Sequence, residues 1–275
     1  MKLNELYTLK EVEEEKIVGI EIEMEGENLF YERDVLYWNV KDDGSLRGRE
    51  ALEYVIKTPL KRQLINKRIN GLYNKFVEYG SKIKPSDRCG VHIHLNCQHM
   101  EIYQIYNLIT LYLIFENLLT HWCGDSREGN LFCLRAQDAE WLIYSLVQDK
   151  EKGNFKNTSK EAMFKYASIN IAALKKFGSL EFRALQTPTN PHIIIKWINM
   201  LLLLKEKSLT VKDSRELIEL CSFRGCKGFT KYIFEKYFKD LNCEGLENMV
   251  IDGLRRVQIL AFTPLKNKRI RIYKY

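Results

Sequence analysis

The chain has 275 residues, 45% hydrophobic and 29% charged, a composition that excludes disorder, a collagen-like repeat and a disulfide-stapled miniprotein. That length admits one large domain or two unequal ones. Forty-three basic against thirty-six acidic residues give a formal charge of +7, which favours a nucleotide or another polyanion but lacks the density of a dedicated nucleic-acid binder.

Met1 to Leu6 carries no apolar run of the kind a secretory leader needs. Ile17 to Glu25 then alternates strictly, with Val18, Ile20, Ile22 and Met24 on one side and Glu21, Glu23 and Glu25 on the other, which predicts a strand. Val35 to Val40 and Ala51 to Lys57 are further predicted strands, separated by the turn Asp42-Asp43-Gly44-Ser45. Helical spacing covers Lys61 to Tyr79. Gly90 to Cys97 alternates again, and Met100 to Trp122 reads as a long buried helix. A helix follows over Asp138 to Val147, then two strands, Tyr166 to Leu174 and Ser179 to Leu185, joined through Lys175-Lys176-Phe177-Gly178. Helices are predicted over His192 to Lys205, Ser214 to Cys221, Thr230 to Leu241 and Leu246 to Leu260.

The pattern predicts an α+β fold with a largely antiparallel sheet and packed helices. Residues 1–205 would form the main domain, and 206–275 a mainly helical extension packed on it. The apolar stretches Leu108 to Phe115 and Ile193 to Leu204 fall short of the roughly 18–20 residues that a membrane span requires. The seven cysteines form no Cys-x-x-Cys pair and read as free thiols, so a cytoplasmic location is expected, with no membrane partner.

Three strands carry the chemistry. Side chains two apart on a strand share a face, so Glu21, Glu23 and Glu25 line one surface, either a wet face or a seat for a hard cation such as Mg²⁺. His92, His94 and Asn96 share a face in Cys89-Gly90-Val91-His92-Ile93-His94-Leu95-Asn96, where the imidazoles could ligate metal or hold an oxyanion. Glu181 and Arg183 share a face in Gly178-Ser179-Leu180-Glu181-Phe182-Arg183, as a plain ion pair or as metal and phosphate ligands. Glu53 sits on the strand that ends at Thr58-Pro59.

In this order, Gly19-x-Glu21-x-Glu23, Asp43-Gly44-Ser45, Glu53 with Thr58-Pro59-Leu60, Gly90-Val91-His92-Ile93-His94 and Ser179-Leu180-Glu181-Phe182-Arg183, the chain resembles the amidoligase family over roughly residues 17–200. These are carboxylate–amine ligases related to glutamine synthetase and γ-glutamylcysteine synthetase. Arg127-Glu128-Gly129-Asn130-Leu131-Phe132-Cys133 is similar to a looser family stretch, and Tyr166 to Asn170 to the segment leading into the Glu-x-Arg strand. Lys57-Thr58-Pro59 departs from the Ser-Pro-Pro frequent in the family.

The resemblance implies a sheet curved into a funnel whose inner face binds ATP with two or more Mg²⁺ ions. It assigns Glu21, Glu23, Glu53 and Glu181 to metal, and His92 and His94 to metal or phosphate. It further assigns Arg183 to the transferring phosphoryl group, and Arg127 to phosphate or the substrate carboxylate. The partners would be a carboxylate substrate and an amine acceptor: a small molecule, a peptide or a modified macromolecule. Two other readings compete. One is a zinc- or manganese-dependent hydrolase built on His92 and His94, for which no His-Glu-x-x-His motif occurs. The other is a protein whose basic tail, Lys266-Asn267-Lys268-Arg269-Ile270-Arg271, binds nucleic acid or an acidic surface. A structural zinc cluster of Cys89, His92, His94 and Cys97 is disfavoured, because Cys97 falls on the opposite strand face from the histidines.

Overall fold

A computed structural model describes residues 1–31, 34–35, 37–42, 44, 46, 50–153, 155 and 162–266. Asp43 and Ser45 of the predicted turn, and the basic tail after Lys266, lie outside the described residues. After a one-turn helix α1 (Leu3–Leu6), the twelve-residue strand β1 (Lys16–Glu27) runs through the middle of the sheet. It is followed by β2 (Asp34–Val35), β3 (Trp38–Asp42), β4 (Glu50–Ile56), β5 (Leu60–Lys61), helix α2 (Ile65–Glu78), β6 (Lys82–Lys84) and β7 (Gly90–Asn96). Helices α3 (Ile102–Cys123) and α4 (Glu140–Lys152) lead to β8 (Ile169–Asn170), the short α5 (Ala173–Phe177) and β9 (Ser179–Gln186). Helices α6 (Pro191–Ser208), α7 (Ser214–Phe234), α8 (Phe238–Leu241) and α9 (Leu246–Phe262) complete the described chain.

The sheet is open, in the order β2-β3-β4-β1-β7-β9-β8, with β5 and β6 paired to the two ends of β1. Every pairing between these strands is antiparallel, as the alternating sequence predicts. Its two faces differ sharply. Val18, Ile20, Ile22 and Met24 of β1 are at most 1% exposed and join Val91, Ile93, Leu95, Leu180 and Phe182 in the core. Helix α3 lies on that face, where Tyr112 meets Phe182 edge-on at 5.0 Å. α9 packs on α3 so closely that a Cβ at Gly253 would stand 2.0 Å from the Ile114 carbonyl oxygen. α3 is therefore buried nearly all round, and among the described residues no helix is long and apolar enough to cross a membrane. The boundary expected at 205/206 falls in the last turn of α6, and one apolar cluster runs from Leu3 to Leu260.

One local expectation is corrected and another refined. Tyr166 to Leu174 is not a continuous strand: Ala167 makes an isolated parallel bridge to Leu134, only Ile169–Asn170 joins the sheet, and the Asn170 side chain then accepts a hydrogen bond from the Ala172 amide and starts a turn. The helix-forming Ala173-Leu174-Lys175-Lys176 follows, and Gly178 stops it with φ +70°. The two helices expected over 214–221 and 230–241 are present with shifted bounds: α7 is two helical stretches that meet at a kink at Gly225 (φ +68°, ψ 160°), and α8 follows separately.

Candidate metal centre

The strand registers lay two rows of side chains across the polar face of the sheet. In one, Lys41 of β3 faces Glu53 of β4, which faces Glu23 of β1. In the other, Gly19 of β1 faces His94 of β7, which faces Glu181 of β9, which in turn faces Asn170 of β8. Glu21 stands between the rows, opposite His92. A Cβ at Gly19 would lie 3.2 Å from His94 Cβ, so the glycine leaves the imidazole room to lie over β1.

The result is a compact ionic cluster. His94 Nε2 lies 3.4 Å from Glu21 Oε1, and His92 Nδ1 lies 3.5 Å from Glu21 Oε2 and 3.7 Å from Glu181 Oε1. His92 Nε2 is 3.7 Å from Glu23 Oε1. Arg183 forms an ion pair with Glu181, and its Nη1 is 3.4 Å from His92 Nδ1. Glu21, Glu23, His92, His94, Glu181 and Arg183 thus come together, and Glu53 stands opposite Glu23 in the β1–β4 register. Glu53 also carries Lys41, whose Nζ is 2.5 Å from Oε2.

One donor atom each from Glu21, His94 and Glu181 lies within 4.8 Å of the other two. That spacing fits ligands gathered on a single cation. His94 Nε2 is buried and, despite its nearness to Glu21, makes no hydrogen bond. Its other ring nitrogen is 3.1 Å from Ser179 Oγ, which fixes the ring. A buried, oriented and unpartnered imidazole nitrogen between two carboxylates is a metal ligand in waiting, and the donors present fit a divalent ion.

The electrostatics agree. Burial alone would raise the Glu21 carboxyl, but the close approach and positive charge of His92 and His94 hold it far below the usual carboxylate range. Glu181 is likewise held low, because His94, Arg183 and His92 overcome its burial. Burial works against the His94 cation, yet Glu21 and Glu181 raise its pKa. The carboxylates on either side of His94 thus favour its protonated form. Glu23 is stabilised differently, by the Gly90 amide, which donates to its Oε2 at 2.9 Å.

Arg127 departs from its expected role as a ligand for phosphate or a substrate carboxylate. It is 1% exposed, and its guanidinium donates to the carbonyls of Ala184 (2.9 Å), Asp87 (3.2 Å) and Arg183 (2.8 Å). Those carbonyls belong in part to a bulge, where β9 advances three residues from Phe182 to Leu185 while β7 advances two. Farther along the same segment, the Phe132 carbonyl accepts from Arg183 Nε at 3.3 Å. The stretch from Arg127 to Cys133 is thus a brace that aims Arg183. Asn96 is also structural, holding the Lys16 and Glu13 carbonyls through Nδ2.

Sequence reasoning missed three contributors. Asn170 donates to Glu181 Oε2 at 2.6 Å, Ser179 orients His94, and Lys41 pairs with Glu53. Alternation backwards from Glu181 would have found Ser179, whereas Asn170 and Lys41 depend on strand pairing. Beside the cluster opens a cleft of about 140 Å³ with apolar walls that include Val12, Val55, Ile56, Pro59 and Phe177; Glu21, His94 and Ser179 also line it. No family model matches the chain, and no curated protein matches it in sequence.

Proposed function

We propose that the chain is an ATP- and Mg²⁺-dependent carboxylate–amine ligase, forming an amide bond through an acyl phosphate, with the open sheet as the wall of a glutamine synthetase-like funnel. The observation that carries this reading is the gathering of Glu21, His94 and Glu181 around one cation-sized point, with Arg183 beside it. Glu21, Glu23, Glu53 and Glu181, with His94, would hold the metal, whose chemistry is to neutralise phosphate oxygens as the γ-phosphoryl group moves.

A carboxylate does not condense with an amine in neutral water, because the group expelled would be oxide or hydroxide. Phosphorylation supplies a good leaving group. Arg183, braced on both its main chain and its guanidinium, would steady the transferring phosphoryl group, and His92 would add a second donor. The apolar cleft would keep water from the activated acyl group. One of the inner carboxylates would take the proton from the attacking amine. The cytoplasm suits this chemistry, and all seven cysteines are free thiols.

The imidazole in the cation cluster supports a second reading, a zinc- or manganese-dependent hydrolase, because nitrogen donors suit those metals better than Mg²⁺. One experiment separates the two. Purified protein is given Mg-ATP with pools of carboxylates and amines, ADP release is followed, and products are identified by mass spectrometry. ADP release that needs both organic substrates and disappears in Glu181→Gln supports the ligase. Stoichiometric zinc in the purified protein with no ATP turnover overturns it.

A further inference from the structure

A second cavity lies in the helical layer, and none of its lining residues belongs to the sheet. It measures about 200 Å³ and is walled by the start of α3 (Tyr103, Tyr106), Lys150 of α4, the start of α7 (Arg215) and the segment after α9 (Pro264, Leu265). Two of its polar groups are incompletely served, the Lys150 ammonium having the Tyr106 ring at 5.4 Å but no anion among the described residues. Lys150 is 4% exposed, and its Nζ donates to the Leu260 carbonyl at 2.9 Å. Among the described residues no carboxylate lies within 4.0 Å of that ammonium. Tyr106 is 1% exposed, and its hydroxyl is buried with no hydrogen-bond partner.

Charges taken out of water are ordinarily paired, and buried hydroxyls are ordinarily bonded. The nearest carboxylate on this wall, Asp213, is already held by Arg215 through Nη2 (2.6 Å) and Nε (3.2 Å), and it also caps α7 through the Arg215 amide. It reaches Lys150 only through its charge: burial pulls the Lys150 ammonium down to about 8, with Asp213 opposing and Arg215 adding to the fall. Among the lining residues Lys150 and Arg215 outnumber Asp213 by one positive charge, beside apolar surface from Tyr103, Phe262, Pro264 and Leu265, while the buried Asp149 acts on Tyr106 from behind the wall.

We propose that this cavity binds a small organic carboxylate, whose anionic end pairs with the Lys150 ammonium and whose apolar body lies against Tyr103, Phe262 and Leu265. The site is independent of the metal centre and does not rest on the ligase reading. Benzoate is the probe, titrated calorimetrically into the full chain, with inorganic phosphate as a second arm. The expected result is saturable binding of one benzoate that weakens by about tenfold or more in Lys150→Met, the loss of one charge-assisted hydrogen bond. Tyr106→Phe should weaken it by a smaller factor while leaving the fold intact, and Glu181→Gln should leave it unchanged.

No benzoate binding overturns the proposal, as does equal binding by wild type and Lys150→Met. Should Lys150→Met fail to fold, unaltered binding by Tyr106→Phe and by the neutral, polar Lys150→Gln would together overturn it. Phosphate binding as tight as benzoate would refute the role given to the apolar wall.

Discussion

Glu116 and Glu181 are both buried carboxylates beside an arginine, yet their surroundings differ in kind. Glu116, in the middle of α3, is 0% exposed and has every acceptor position served. The Ala136 amide donates to both oxygens at 3.0 and 2.9 Å, Ser168 Oγ donates at 2.5 Å, and Arg256 Nη1 at 3.2 Å. Its partners come from the loop before α4, the approach to β8 and α9, so one charge ties four parts of the chain together. Glu181 has Asn170 and Arg183, but it also faces Glu21, His92 and His94 beside a cleft. Where dedicated donors match the acceptors, a buried charge is scaffold. Where ionisable groups crowd together and an imidazole nitrogen is left over, the cluster has room for a ligand from outside.

Substitution should separate the two most clearly. Glu116→Ala leaves Arg256 and the Ala136 amide without their partner and should cost about 3–5 kcal/mol of unfolding free energy, read by urea denaturation. Glu181→Gln keeps the shape and one acceptor, so it should cost only about 1 kcal/mol while abolishing divalent-ion binding by calorimetry. Comparable destabilisation in both variants would erase the distinction.

The two carboxylates should also give opposite pH dependences. Burial pushes the Glu116 carboxyl above its usual 4.5 in spite of Ser168, Ala136 and Arg256, so its linkage contribution is full below 4.5 and is lost as pH rises through the folded value. Glu181 is held below 4.5, so its contribution is present above that pH and is lost as pH falls through the folded value. Unfolding free energies of wild type and the two Gln variants across this range should therefore differ on the alkaline side for Glu116 and on the acid side for Glu181.

Which of these features could be read beforehand follows from the range of the forces involved. Alternation in β1, β7 and β9 is a local property, so the strands and the shared faces of Glu21/Glu23, His92/His94 and Glu181/Arg183 were legible. Their convergence depends on register, on Gly19 meeting His94 and His94 meeting Glu181, and no local pattern encodes that. Arg127 was misjudged because nothing in the sequence marks the β9 bulge whose carbonyls it serves. Glu116 drew no notice inside an apolar helix, since its partners lie 20, 52 and 140 residues away. The segment after Asn170 was misread as strand because one side-chain hydrogen bond reverses the chain there.

Asn170 and Arg127 test how the site is held rather than what it holds. Asn170→Ala removes the donor that orients Glu181 and should weaken divalent-ion affinity by about 10–100-fold, with little change in stability. Arg127→Met leaves buried carbonyls at the bulge without donors and should cost about 1–3 kcal/mol. It should also misplace Arg183, so that ATP turnover falls while metal affinity, measured separately, stays near that of wild type.

The smallest effect belongs to Lys41. Its ammonium meets Glu53 at the exposed end of the first row, where screening by solvent limits a salt bridge to about 0–1 kcal/mol. Lys41→Met should therefore barely move stability. It also removes a positive charge from the row that runs through Glu53 to Glu23, so a divalent ion at the cluster should bind more tightly, by up to about fivefold at low salt. That gain should shrink as salt shortens the screening length toward the width of the site. A Lys41→Met variant that binds the ion no better at low salt would show that Glu53 and Glu23 lie electrostatically outside the centre, leaving Glu21, His94 and Glu181 to form it alone.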